Sequence, residues 1–339
     1  MTDLQRPARR PGAEPAIVLT DHPPVPTTER PRIQRVIDDA VDQAMADSSG
    51  TIADYCRDLR EVDVERTAVA VQLVDGTVLQ AGDATDRQIT LQSVSKVCLL
   101  TGLLEDLGPE VVFAHVGMEP SGDSFKSIAR LDETPGPPAN PLVNAGAIML
   151  SAIVPGHDLA ARLAWVDGWM VKLFGKPLPV NPDVLHAERT TGDHNWSIAY
   201  LLRAKQLMTC PVEDALEVYF TLCSTQVTVA DAAAFAGLLA RGGTSLNGER
   251  VLSAGTIRAV LAIMTTCGMY DDSGTHLVET GLPTKSGVSG LIVASALRRA
   301  GIATFSPRLN ETGASVRGQM MLRYIAAELG WHFAEPRDA

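Results

Sequence analysis

Residues 67–83 read TAVAVQLVDGTVLQAGD. Two runs of β-branched and small apolar residues flank Asp75-Gly76, a pair that favours a two-residue hairpin turn. The spacing predicts two antiparallel strands near the N-terminus. Strand character returns near the other end, in HLVETGLPTKSGVSGLIVASA (276–296) and GIATFSPRL (301–309). The intervening sequence is mostly helical with loops, and there are no alternating strand–helix units, so a doubly wound parallel sheet is not expected. The pattern predicts an α+β fold: one antiparallel sheet built from both chain ends, flanked by the terminal helices, with the central helices forming a second, mostly helical lobe. A ligand site belongs in the cleft between the lobes.

The helices are readable from their stripes and stops. Ile33, Val36, Ile37, Ala40, Val41, Ala44 and Met45 form one apolar stripe, with Pro31 suited to a first helical turn and Gly50 to the stop. LQSVSKVCLLTGLLEDLG (91–108) has helical spacing and a terminal Gly108. VTVADAAAFAGLLARGG (227–243) offers Thr228 as a cap, and SVRGQMMLRYIAAELG (315–330) ends on Gly330. Residues 1–30 read as a polar, Pro-rich tail without the apolar run of a signal peptide. The expected organisation is one domain over 31–334, with a sheet lobe at 31–90 and 276–334, a helical lobe at 91–275, and a short tail at 335–339.

Composition excludes several classes. Of 339 residues, 45% are hydrophobic and 20% charged, and the formal net charge is -11. A sizeable core is possible, while an acidic surface without a basic patch speaks against nucleic acid and anionic membrane as partners. No apolar run is long enough to span a bilayer. The five cysteines (Cys56, Cys98, Cys210, Cys223, Cys267) include no C-x-x-C pair, which fits free thiols in a reducing cytoplasm.

LQSVSK (91–96) places Ser93 near a helix start and Lys96 one turn on, on the same face. A serine hydroxyl needs a base to become a nucleophile. A lysine with a lowered pKa can serve, and the helix N-terminus can stabilise a developing oxyanion. Alone, Ser-x-x-Lys is a common coincidence. Lys285-Ser286-Gly287, in a strand context, adds a second cation, whose charge would help lower the pKa of Lys96, and a backbone N–H near Val288. A third group, a Tyr or a Ser/Tyr-x-Asn from the helical lobe, would complete the set. Tyr270, just past a helix end in CGMYDDSG (267–274), suits it, whereas Tyr324 in the last helix suits packing.

The ordered set LQSVSK, EPSGDSF (119–125), NPLVNAGAI (140–148), ERTTGDHN (188–195), YFTLCS (219–224), CGMYDDSG and GLPTKSGV (281–288) resembles the serine-dependent glutaminases, a family of the β-lactamase/penicillin-binding-protein-like superfamily. The resemblance covers about residues 51–318 and implies a β-lactamase/transpeptidase-like fold. It implies Ser93 as nucleophile, Lys96 as its base partner, Tyr270 as proton shuttle, and the Val288 N–H beside that of Ser93 in an oxyanion hole. Asn144, Glu188, Asn195 and Tyr219 would hold the amino-acid head of L-glutamine, with Tyr55 in IADYC (52–56) a further contact. Glutamate can pair with the ammonium, and Asn and Tyr donors with the carboxylate.

No metal or organic cofactor is implied, and a homodimer or homotetramer is expected from the family alone. After KSGV this chain has Ser289-Gly290-Leu291, where the family usually runs through glycines. His186 and His194 flank a motif and read as surface residues. Two other readings compete. A β-lactam- or peptide-acting hydrolase of the same fold is weakened by the lack of a Ser-Asp-Asn run. A non-catalytic glutamine sensor would have no use for a nucleophile.

Overall fold

The structure, a computed structural model, describes residues 25–53, 57–120, 131–132 and 136–335. Its strands are β1 (Ala68–Leu73), β2 (Val78–Gly82), β3 (Ile89–Thr90), β4 (Gln226–Val227), β5 (Thr284–Ser286), β6 (Leu291–Ala296) and β7 (Ala300–Phe305). Five of them form an antiparallel sheet in the order β2-β1-β7-β6-β5. The sheet is therefore drawn from both chain ends, as the sequence predicts. The short β3–β4 pair stands apart, close to the start of the helical lobe.

The hairpin turn is one residue longer than the Asp-Gly pair suggests. Leu73 N–H donates to the Thr77 carbonyl at 2.9 Å and Gly76 N–H to the Leu73 carbonyl at 2.9 Å. Residues 74–76 thus form a three-residue loop ending in Gly76 at φ 90°, the left-handed position such loops require.

Alternation sorts the side chains between two layers. Val69, Val71, Ile292 and Ile302 face a core shared with the first helix, Arg30–Met45, and the last, Val316–Leu329. The predicted stripe of the first helix is buried from Ile33 to Ala44, while Met45 at its end is exposed. On the opposite face the sheet presents small residues, among them Ala68, Ala70 and Ala303. The helix Val229–Ala240, fixed at its start by a Thr228/Asp231 capping box, crosses this face. The approach is close: Ser295 Oγ donates to the Ala236 carbonyl at 3.0 Å, and a Cβ on Gly301 would lie 2.0 Å from Gly237 N. That apolar core continues without a break into the helical lobe through residues such as Leu99, Ile148, Leu216 and Phe220. The two lobes are therefore fixed against each other by one core.

Two segments differ from the predicted pattern. Residues 276–280 belong to a helix, Ser273–Thr280, closed by Gly281 at φ 63°. Its buried positions, Ser273, His276 and Thr280, follow a three/four step, and Val278 is exposed. A short run of mixed residues does not separate that period from alternation. Gly108 does interrupt its helix, at φ 79° and followed by Pro109, but the chain resumes helical geometry up to His115. Among the described residues no helix is long and apolar enough to cross a membrane.

Gly301→Ala should lower stability by about 1–3 kcal/mol, the usual cost of overpacking. A urea-unfolding midpoint equal to that of the parent would show that the helix is not held at backbone contact.

Candidate active site

Ser93 sits in a single 3-10 turn, Gln92–Val94, that leads directly into the helix Ser95–His115. The turn is anchored outside itself: Leu91 N–H donates to the Thr225 carbonyl at 2.8 Å, continuing the β3–β4 pairing. Gln92 has φ 45°, an uncommon conformation for a residue with a side chain. The chain thus bends sharply at the residue before Ser93, whose side chain is nearly buried.

Lys96, one turn on, is 1% exposed. Its Nζ donates to the Leu142 carbonyl at 3.2 Å and to Asn144 Oδ1 at 2.6 Å. Burial pulls its pKa down to about 8, opposed by nearby Glu188. The loop that supplies these acceptors is shaped by Asn140, whose Oδ1 accepts from Leu142 and Val143 N–H at 3.0 and 3.2 Å. Gly146 permits the fold-back, since a Cβ there would lie 1.9 Å from the Asn140 carbonyl.

Tyr270 follows the helix Ala254–Cys267 and takes φ 54°. Its ring is partly exposed while its hydroxyl is buried and in hydrogen-bonding relation with Ser93. Burial raises its pKa, which keeps the phenol protonated. The segment is held against β5: Ser286 N–H donates to the Gly268 carbonyl at 3.3 Å, and a Cβ on Gly268 would lie 1.8 Å from the Thr284 carbonyl.

Lys285 on β5 is wholly buried. Its Nζ lies 4.0 Å from the centre of the Tyr270 ring, and Lys96 Nζ lies 5.8 Å from it. Burial, then repulsion from Lys96, hold Lys285 well below the usual lysine range. The sequence reading has Lys285 depress Lys96. In the structure burial is the larger cause for both amines, with repulsion between them adding to it at Lys285.

Ser93 opens onto a cavity of about 190 Å³ whose walls also carry Asn144, Glu188, Asn195, Tyr219 and Val288. Glu188 lies buried on the helix Pro182–Thr191, and Gly192 separates that helix from Asp193–Ala204, which supplies Asn195. Tyr219 and Cys223 stand one turn apart on Val212–Ser224. Val288 lies in a turn closed by Gly290 N–H to the Gly287 carbonyl at 3.0 Å. Gly287 itself passes so close that a Cβ would meet the Leu91 carbonyl at 2.9 Å.

Hydrogen-bond polarity runs outward from Lys96. Its Nζ donates to the Asn144 oxygen, so the Asn144 amide nitrogen donates to Asn195 Oδ1, at 3.0 Å. Asn195 is thereby turned to offer its own N–H₂ as donor. The structure thus brings together every expected site residue except Tyr55, which lies outside the described residues.

The sequence model of the Glutaminase family matches residues 50–333. The chain belongs to the glutaminase family. A glutaminase of Legionella pneumophila (strain Corby) is 41% identical over 303 residues, covering 89% of this chain and 97% of that protein. Glutaminase 2 of Clostridium perfringens is 38% identical, covering 83% and 92%. Among solved structures, the probable glutaminase ybaS superposes with a TM-score of 0.87 at 37% identity, covering 91% of this chain and 99% of that one. A Bacillus glutaminase superposes at 0.82 with 32% identity, covering 88% and 99%. The fold is accordingly the β-lactamase-like α+β fold of glutaminases.

Three residues gain importance that the motifs alone did not assign. Gln92 lines the cavity and its buried Nε2 has no hydrogen-bond partner among the described residues. Its place beside Ser93 was the available signal. Cys223 also lines the cavity, its thiol pushed up to about 12 chiefly by burial. It was read only as one of the free thiols, which Cys98, Cys210, Cys223 and Cys267 all are. Asn140 acts through the loop it shapes, which no spacing reveals.

Gly268→Ala should drive Tyr270 out of register with Ser93, because the new methyl meets backbone. A displacement of about 1 Å costs on the order of 10²-fold in turnover. A variant that keeps its full kcat for ammonia release would show that Gly268 does not position Tyr270.

Proposed function

We propose that this chain hydrolyses the side-chain amide of free L-glutamine to L-glutamate and ammonia through an acyl intermediate on Ser93. The observation that carries this reading is the buried Lys96 amine. It is one helical turn from Ser93, its pKa is about 8, and it donates to Asn144, which lines the same cavity as Ser93 and Glu188. As a neutral amine, Lys96 has two N–H bonds, matching its two acceptors, the Leu142 carbonyl and Asn144 Oδ1. One lone pair remains, so the nitrogen is left to act as a base.

Ser93 Oγ attacks the δ-carbon as its proton passes to Lys96. The carbonyl oxygen becomes an oxyanion and accepts from the N–H groups of Ser93 and Val288. Tyr270, protonated and joined to Ser93, passes a proton to the amide nitrogen and recovers one from Lys96, which returns to the neutral amine. The C–N bond breaks, and ammonia leaves. Water then attacks the γ-glutamyl ester, its proton goes to Lys96, and Ser93 Oγ departs reprotonated. Glu188 pairs with the substrate ammonium, while Asn195 and Tyr219 donate to the α-carboxylate, with Asn144 fixing Asn195. Tyr55 is proposed as a further contact. Binding both charged groups of the head holds the amide carbon at Ser93, where orientation lowers the barrier.

The wider reading is one glutaminase domain over 31–334, at work in a reducing cytoplasm as a homo-oligomer. The free thiols support the compartment, and the family resemblance supports the assembly.

Ser93→Ala should lose at least about a thousandfold in ammonia release; release that survives would overturn the acyl-enzyme. Glu188→Ala should raise KM for glutamine by about ten- to a hundredfold with a smaller change in kcat, the scale of a lost charge-assisted bond. An unchanged KM would remove Glu188 from the binding site. Turnover should rise as pH passes upward through about 8, because a lysine acts as a base only when deprotonated. A profile flat from pH 6 to 9.5 would mean that another group takes the serine proton.

A further inference from the structure

The wall behind Ser93 has a second side. On one side Gln92, Ser93 and Val288 line the catalytic cavity. On the other, Thr90 and Ser289 line a separate cavity of about 260 Å³. Both hydroxyls belong to residues only 6% exposed, and neither has a hydrogen-bond partner among the described residues. A buried hydroxyl without a partner is costly, so such a pair calls for a polar occupant. Ser289 is also the departure from the glycine run of the family, and the catalytic reading gives it no task. Arg87 stands exposed at the rim, while Leu59, Val62 and Val184 make an apolar side.

The two hydroxyls and the guanidinium, with the amides of Gln88, Asn181 and Gln226 also in the lining, offer donors to a carboxylate, and the apolar side accommodates a short branched or linear alkyl tail. We propose that this cavity is an effector site for a small aliphatic monocarboxylate, acting on the oxyanion donors through the wall they share. Thr90 precedes Ser93 by three residues and Ser289 follows Val288, so an occupant bonded to both hydroxyls braces the two segments that carry the N–H donors. Binding stands on the cavity alone. The effect on turnover rests additionally on the catalytic reading above.

The probe is 4-methylpentanoate added to the full chain. Binding is followed by calorimetry and turnover by ammonia release. Saturable binding is expected in the Ser93→Ala protein as in the parent. In the parent, kcat should rise by about fivefold or more with KM for glutamine little changed, the range of an ordinary coupling between sites. Arg87→Gln, which leaves the catalytic residues untouched, should keep basal turnover and weaken probe binding at least about tenfold. Val62→Phe, which fills the apolar side, should abolish binding.

No heat of binding in either protein would overturn the site and leave the glutaminase reading intact. Binding that raises KM alone would place the probe in the substrate cavity and likewise overturn it. Binding that is lost in Arg87→Gln but never alters turnover would overturn the coupling.

Discussion

A lysine amine held almost entirely out of water is the constraint on which the rest of the site depends. An ammonium is expensive to bury, so Lys96 gives up its proton more readily than a lysine in solvent. It is tolerated there because two oxygens, the Leu142 carbonyl and Asn144 Oδ1, accept from it. Those oxygens come from a different helix and loop, 46 and 48 residues away. The loop in turn needs Asn140 and the bare backbone of Gly146 to turn back on itself. The environment of the proposed base is thus set by packing between two elements of the helical lobe, and the same contacts orient Asn195.

Around this amine the two lobes meet at backbone distance. Gly268 lies on the carbonyl of Thr284 and Gly287 on that of Leu91. These contacts bring three segments with no local relation into one place: the turn of Ser93, the turn of Tyr270 and the edge strand with Lys285. The same close fit recurs away from the site, where Gly301 meets Gly237 and fixes the helix Val229–Ala240 across the sheet. One continuous apolar core then fixes the lobes at that spacing. The hydroxyl pair behind the wall, Thr90 and Ser289, marks where this packing leaves space.

Much of this was legible in the chain itself. Patterning placed the sheet at both ends, because alternation, turn chemistry and helix stripes are local. The cap at Thr228 and the terminal Gly330 were readable for the same reason. The reading failed where locality is ambiguous. Residues 276–280 are too few to distinguish a helical step from alternation, and a two-residue turn and a three-residue loop share the Asp-Gly signal. The motifs named Ser93, Lys96, Tyr270, Glu188 and their companions as residues to be gathered.

What the sequence by itself determined is therefore the class of fold, the family, and the kinds of side chain brought to the cavity. The tertiary structure decided how those side chains behave. That both Lys96 and Lys285 are held below the usual lysine range follows from how completely the fold buries them. That Asn195 offers donors follows from a chain of hydrogen bonds begun at Lys96. Both depend on distance and burial between residues far apart in the chain, and electrostatic strength in a protein is set by those two quantities.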